Sequence, residues 1–405
     1  MNDVKYISIM DYNYDLPNER IAKYPLNERD LSKLLVYKNQ RILESHYSHI
    51  DEFLPTDSLL FFNNTKVIPA RLFFKTSSQK DIEIFCLEPI SNHTDVYSSM
   101  LQQGNSTWKC LVGGAAKWKE QFVYLNTSDL QIKAEIKERL NGTFVLEFTW
   151  EPNSQSFAEV LQIAGAIPIP PYLKRDTEEI DLERYQTIYA QKEGSVAAPT
   201  AGLHFTDKVF EKLKNKKIVP TYITLHVGAG TFKPVKSDTM ADHDMHGEYI
   251  DVSLDTLESL YHNNDKTIVA VGTTSMRTLE SLYWIGDLIS KQPDIKQEEL
   301  RVDQWQPYTN PDITLTCREA IFNIIEYLKK NKLKNLFAKT SILIAPGYQF
   351  KLVNTLVTNF HQPESTLILL VAAFIGEDWR KVYQYALDHD FRFLSYGDGS
   401  LLFRK

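Results

Sequence analysis

The sequence predicts an α/β protein carrying an inserted all-β barrel: a larger domain with a partly parallel sheet, interrupted by a small antiparallel β-barrel. Three observations lead there. Between residues 66 and 150, short runs of alternating apolar and polar residues are split by turn residues, the period of half-buried strands. From Thr206 onward helical and extended patterns alternate, as they do where helices pack on a sheet. The first sixty residues are mixed rather than barrel-like, so the β segment interrupts the larger body. The division is therefore 1–65 with 151–405 for the α/β domain and 66–150 for the barrel, within the two or three domains that 405 residues allow.

In the barrel region, Ile132, Ala134 and Ile136 alternate with Gln131, Lys133 and Glu135. Asn141-Gly142 then signals a hairpin, because both residues tolerate positive φ, and Phe144, Leu146 and Phe148 follow on one face. Runs at 67–74, 82–88 and 107–112 complete a set sufficient for a small barrel or sandwich. In the larger domain, Thr206 caps a helix reaching Lys217, and an extended apolar run follows at 218–227. Ser253–Asn263 reads as a helix, Thr267–Val271 as a short buried strand, and a helix opens near Thr274. Ser341–Ala345 reads as a further strand of a largely parallel sheet. The stretch of about 284–339 reads as an insertion with its own helix, Arg318–Lys330. Leu367–Gly376 has only about half of the ~20 apolar residues that a membrane-crossing helix needs, so it is a buried helix and no membrane partner is expected.

Composition restricts the function classes. Gly and Pro number only 16 and 17 while 43% of the chain is apolar, which excludes collagen-like and disordered readings. Cys86, Cys110 and Cys317 are odd in number and far apart, and the amino terminus lacks the apolar run of a signal peptide. Both point to a reducing, cytoplasmic setting. The net charge of −7 means that a polyanionic partner must be met by a local basic patch. Two candidates, KLKNKK at 212–217 and the group Lys329, Lys330, Lys332 and Lys334, sit where helices should end, and lysines there normally complement the helix dipole.

The chain has no phosphate-loop, HExxH or GxSxG string. HVGAGTF at 226–232 offers Gly228 and Gly230, but no third glycine opens a helix, which argues against a nicotinamide-dependent oxidoreductase. A tight turn or a close backbone approach to an adenosine or carboxylate fits as well. His243, His246 and Glu248 in DHDMHGEY are compatible with metal binding, acid–base work or plain structural roles. VGTTSMRTLES at 271–281 ends an apolar strand at Gly272 and opens a helix with Thr273, Thr274, Ser275 and then Arg277. Free amides and a guanidinium would face an anion there, unless this is an ordinary N-cap followed by a surface arginine. In TNFHQPEST at 358–366, Asn359 and His361 precede a helix start marked by Pro363, Glu364 and Ser365, a junction suited to a small-ligand pocket.

Taken together, several strings resemble one family, the S-adenosylmethionine:tRNA ribosyltransferase-isomerases of queuosine synthesis. They are FFNNTKVIPARLF at 61–73, IPIPPYLKR at 167–175, RYQTIYA at 184–190, VAAPTAGLHF at 196–205, HVGAGTF, HDMHGEY, GTTSMRTLES, PGYQFKLVNTLVTNFHQPESTLILLVAAF at 346–374 and SYGD at 395–398. The resemblance implies the α/β domain with inserted barrel. It also implies transfer and isomerisation of the ribosyl part of S-adenosylmethionine onto 7-aminomethyl-7-deazaguanine at the tRNA wobble position, giving epoxyqueuosine, adenine and methionine. The expected partners are S-adenosylmethionine and a tRNA with a GUN anticodon, met by a monomer. The donor's sulfonium supplies the activation, so no metal or redox cofactor is expected. Side chains must take a C5′ proton, keep the acceptor amine neutral and protonate departing adenine. The candidates for this catalytic work are His204, His226, His243, His246, Glu248, His361 and Asp398. The candidates for binding are Thr200, Gly228, Gly230, Thr274, Ser275, Arg277 and Asn359, with the methionine carboxylate at the helix opening. The competing readings are a paralogue acting on another acceptor and a non-catalytic tRNA-binding protein.

Overall fold

The computed structural model describes residues 4–90, 96–228, 238–309 and 315–404. Its larger body is a ten-stranded sheet. In spatial order the strands are Arg301–Val302, Asn335–Thr340, Glu248–Ser253, Val219–His226, Leu59–Asn63, Ile268–Val271, Thr355–Asn359, Gly399–Phe403, Lys33–Lys38 and Arg41–His46. Four neighbours at the centre, from Val219–His226 to Thr355–Asn359, run parallel. Leu59–Asn63 and Thr355–Asn359 are buried along their whole length, as central parallel strands covered on both faces must be. The sheet is mixed rather than largely parallel. Glu248–Ser253 is antiparallel to both neighbours, and Gly399–Phe403 returns antiparallel to Thr355–Asn359.

The barrel is closed. Arg71–Lys75, Asp81–Pro89, Asn105–Gly113, Phe144–Glu151, Gln131–Arg139 and Phe122–Asn126 pair antiparallel in that order, and Lys75 pairs with Tyr124 to complete the ring. Inward residues such as Leu72, Phe74, Ile84, Trp108, Leu146 and Phe148 form its core. Phe157, Val160 and Leu161 join that core from the helix Phe157–Ala164, which begins in a Ser156/Glu159 capping box. Gly165–Ala166 pairs with Arg71 and Leu72, whereas Thr65–Val67 pairs with Lys192–Ser195. The barrel's packing therefore reaches past residue 150, and its first strand begins after Val67.

The segment 284–339 is woven into the main body instead of appended to it. The helix Thr273–Lys291 runs straight through Trp284, and both Arg301–Val302 and Asn335–Thr340 extend the sheet. The helix Cys317–Lys330 packs so closely on Thr273–Lys291 that a β-carbon on Gly286 would lie 2.2 Å from the Ala320 carbonyl oxygen. The strand expected at Ser341–Ala345 lies earlier, at Asn335–Thr340, and 341–345 is irregular but buried. Thr206 caps its helix as expected, and Ser253, read as the first helical residue, is instead the cap of Leu254–His262; each accepts from a backbone amide three residues on. The candidate basic patches are in use locally: Lys212 and Lys216 donate to the carbonyls of Ser48 and Asp51, and Lys329 and Lys330 pair with Glu258 and Asp294. Among the described residues no helix is long and apolar enough to cross a membrane.

Glu280 ties the long helix to the segment that delivers Thr355–Asn359. Its fully buried carboxylate accepts from the amides of Lys351, Leu352 and Val353 at 2.8–3.0 Å and from the Tyr348 hydroxyl at 2.8 Å. Burial outweighs these bonds and raises its pKa. In Glu280→Gln, one amide-nitrogen end must face a backbone N–H, leaving a buried donor orphaned. The expected cost is about 1–3 kcal/mol, read as a lower urea midpoint of unfolding at unchanged m-value.

Candidate active site

At the carboxyl ends of the central parallel strands the chain turns into helices and irregular segments, the place where open α/β sheets hold ligands. A cavity of about 190 Å³ lies there. It gathers residues that follow Val219–His226, Ile268–Val271 and Thr355–Asn359, together with Thr200, His243, His246 and Glu248.

One wall is built by the start of Thr273–Lys291. Gly272 has φ 90°, a left-handed value that only glycine takes without strain, and this turns the strand sharply into the helix. The Thr274 hydroxyl oxygen is buried and has no hydrogen-bond partner among the described residues. One turn on, Arg277 is 9% exposed, and its Nη1 pairs with Glu248 Oε2. Among the described residues its buried Nε and Nη2 have no partner. Glu248 also accepts from the Gly228 amide at 3.4 Å. One edge of the guanidinium is thus held by a buried carboxylate while the rest is left for an incoming acceptor.

Thr200, Asn359 and His361 also line the cavity. His361 Nε2 lies 2.8 Å from the Thr358 hydroxyl, and burial lowers its pKa to about 3. Towards the outer edge stand His243, half-buried, and His246, exposed. Burial, with His246 beside it, lowers the pKa of His243 against the opposing pull of Asp244. Gln304 fixes this edge: its side chain donates to the His243 carbonyl at 2.8 Å and accepts from the Met245 amide at 2.9 Å.

Other expected residues lie elsewhere. His204 sits behind the cavity, stacked on Tyr47 at 4.3 Å, with Nε2 3.3 Å from Asn359 Nδ2 and its pKa lowered by burial to about 3. Asp398 moves from the catalytic set to the framework, because its carboxylate is buried and accepts from the Lys33 and Arg392 amides and the Arg392 guanidinium. Ser275 is likewise removed from binding, since its hydroxyl donates back to the Val271 carbonyl at 2.8 Å. His226 faces away from the cavity, with Nδ1 3.2 Å from the Thr65 hydroxyl. Gly228 acts through its amide on Glu248 and does not line the cavity, and Gly230 lies outside the described residues. The far wall holds residues not singled out from sequence, Tyr172, Tyr185 and Ser395, with the Tyr172 hydroxyl 2.5 Å from that of Ser395. All three lie in strings already quoted, IPIPPYLKR, RYQTIYA and SYGD, which was the signal available. Among the described residues no three His, Cys, Asp or Glu side chains group as metal ligands.

These features define the class: an α/β protein with an inserted barrel and a cavity at its strand ends lined by threonine, histidine and a buried arginine–glutamate pair. The chain belongs to the family described as queuosine biosynthesis protein, which matches residues 9–402. It is 37% identical over 398 residues to the S-adenosylmethionine:tRNA ribosyltransferase-isomerases of Legionella pneumophila strains Corby and Paris, covering 97% of this chain and 98% of each of theirs. It is also similar to the crystal structure of S-adenosylmethionine tRNA ribosyltransferase from Thermotoga maritima, at 29% identity and a TM-score of 0.46, covering 97% and 99% of the two chains.

The buried imidazoles make stability depend on pH. His204 and His361 take protons at about 3 when folded, against 6.5 for the free side chain, so on acidification the unfolded chain binds protons that the folded chain does not. Stability therefore falls as pH drops below 6.5. At pH 5 the two together are expected to cost about 4 kcal/mol relative to pH 8. His361→Gln should recover about half of that drop in urea unfolding at the two pH values.

Proposed function

We propose that this chain is an S-adenosylmethionine:tRNA ribosyltransferase-isomerase. It moves and isomerises the ribosyl group of S-adenosylmethionine onto 7-aminomethyl-7-deazaguanine at the wobble position of tRNA with a GUN anticodon, releasing adenine and methionine. The observation that carries the reading is the half-paired Arg277 guanidinium beside the unpartnered Thr274 hydroxyl, at a helix opening inside the cavity. A methionine carboxylate supplies the acceptors those donors lack. Family membership and the names of the Legionella relatives support the same reading.

The reaction needs a proton removed from C5′ beside the sulfonium, a neutral amine as nucleophile, and a proton for departing adenine. A group that binds a proton only near pH 3 accepts one poorly at neutral pH, so His361 serves better as a fixed neutral hydrogen-bonding partner. Proton movement falls to His243 and His246 at the less buried edge of the cavity. The sulfonium makes methionine a neutral thioether leaving group, so the proposed reaction runs without a metal or redox cofactor, in a cytoplasmic monomer.

Incubated with S-adenosylmethionine and tRNA bearing the aminomethyl-deazaguanine, the protein is expected to release adenine and methionine in equal amounts, with or without a chelator. His246→Ala should still bind the donor but release both about 100-fold more slowly or worse. Absence of adenine release with competent tRNA would turn the assignment towards a binding protein or another acceptor. Arg277→Lys keeps a cation for Glu248 but loses the fork, so KM for S-adenosylmethionine should rise about tenfold or more while kcat changes less, in steady-state assays at saturating tRNA.

A further inference from the structure

Thr200 opens the short helical turn Thr200–His204 and lines the cavity. Its hydroxyl lies 2.8 Å from Asn359 Oδ1. What that contact means is decided by the orientation of the Asn359 amide. The Asp398 carbonyl oxygen, 3.5 Å away, can only accept, so the atom facing it is the amide nitrogen. The same nitrogen lies 3.3 Å from His204 Nε2, on an imidazole that burial keeps neutral. His204 Nε2 is therefore the acceptor, and the imidazole proton sits on Nδ1. Asn359 then shows its oxygen to Thr200, and an amide oxygen cannot donate. The single hydroxyl proton of Thr200 is fixed on Asn359, and what Thr200 offers the cavity is an obligatory acceptor.

This acceptor stands beside the wall built by the start of Thr273–Lys291. A β-carbon on Gly272 would lie 3.5 Å from Thr274 Oγ1 and 3.7 Å from Ala201 Cβ, so the Thr200–Ala201 turn abuts the helix opening. Unpaired donors on the helix and a committed acceptor on the turn match one chemical group, the zwitterionic end of an α-amino acid. We infer that Thr200 accepts a hydrogen bond from the α-ammonium of the methionyl end of the donor, while Thr274 and Arg277 take its carboxylate. Asn359 and His204 are positioning residues that set the polarity of Thr200. The inference rests on S-adenosylmethionine being the donor and adds how its amino group is read.

S-adenosylhomocysteine carries this amino-acid end on an unreactive thioether, and its deaminated counterpart ends in a plain butyrate. In calorimetric titrations the wild-type protein is expected to bind the amino-bearing ligand about 10- to 100-fold more tightly, the range for a hydrogen bond to a charged group. Thr200→Ser should keep that ratio, and Thr200→Val should bring the two ligands within about threefold of each other without altering the affinity of the deaminated one. His204→Phe should lower the same ratio, a change that a purely structural role would not produce. Equal affinity of the wild-type protein for both ligands, or equal weakening of both by Thr200→Val, overturns the assignment. Equal wild-type affinities need no variant, so they overturn the assignment even where Thr200→Val fails to fold. A wild-type protein that binds neither ligand overturns the donor reading as well.

Discussion

The cavity depends on a guanidinium that the fold leaves half-satisfied. Burying Arg277 costs desolvation energy, and Glu248 offsets part of it through one nitrogen. The Arg277 Nε and Nη2 have no partner among the described residues. The surrounding structure holds that arrangement by rigidity. Gly272 sets the helix start, the Gly228 amide helps to hold the Glu248 carboxylate, and Glu280 farther along the same helix fastens the segment leading into Thr355–Asn359. A ligand that brings a carboxylate completes hydrogen bonds that folding left open, and preorganised binding of this kind needs little rearrangement.

The same logic explains why the segment 284–339 belongs to the body of the protein. Its sheet strands lengthen the edge beside Glu248–Ser253, and its Gln304 amide brackets the backbone of His243 and Met245. The histidine edge of the cavity, the part best placed to exchange protons with solvent, is thereby fixed by residues remote in sequence. A change in this segment would alter the position of His243 and His246 without touching either ring.

Much of this was legible in the chain because it is local. The Asn141-Gly142 hairpin, the cap at Thr206, and the strand-to-helix junction at Gly272 rest on backbone preferences of a few neighbouring residues. What failed depends on direction or on distant partners. Thr274 and Ser275 are adjacent in sequence but about 100° apart on the helix, so only Thr274 faces the cavity while Ser275 bonds back to Val271. Strand alternation already placed His226 on the face opposite Leu225 and Val227, and that signal could have removed it from the set. Asp398 could not be read this way, since the Lys33 amide that holds it comes from across the fold, beside the local Arg392 amide six residues earlier. Ile342–Ile344 form an apolar run that period alone cannot tell from a strand; in the structure they line the cavity.

The division of the histidines follows from where they sit. Full burial deprives His204 and His361 of the solvation that a protonated imidazole requires, so at neutral pH each is a fixed pattern of one donor and one acceptor. A cationic sulfonium entering the cavity reinforces that state, because a second positive charge nearby would be repelled. A site built for a positively charged donor therefore gains from imidazoles that stay neutral beside it. It must place its proton-exchanging groups at the rim, where water can still stabilise the charged form, and His243 and His246 occupy that position.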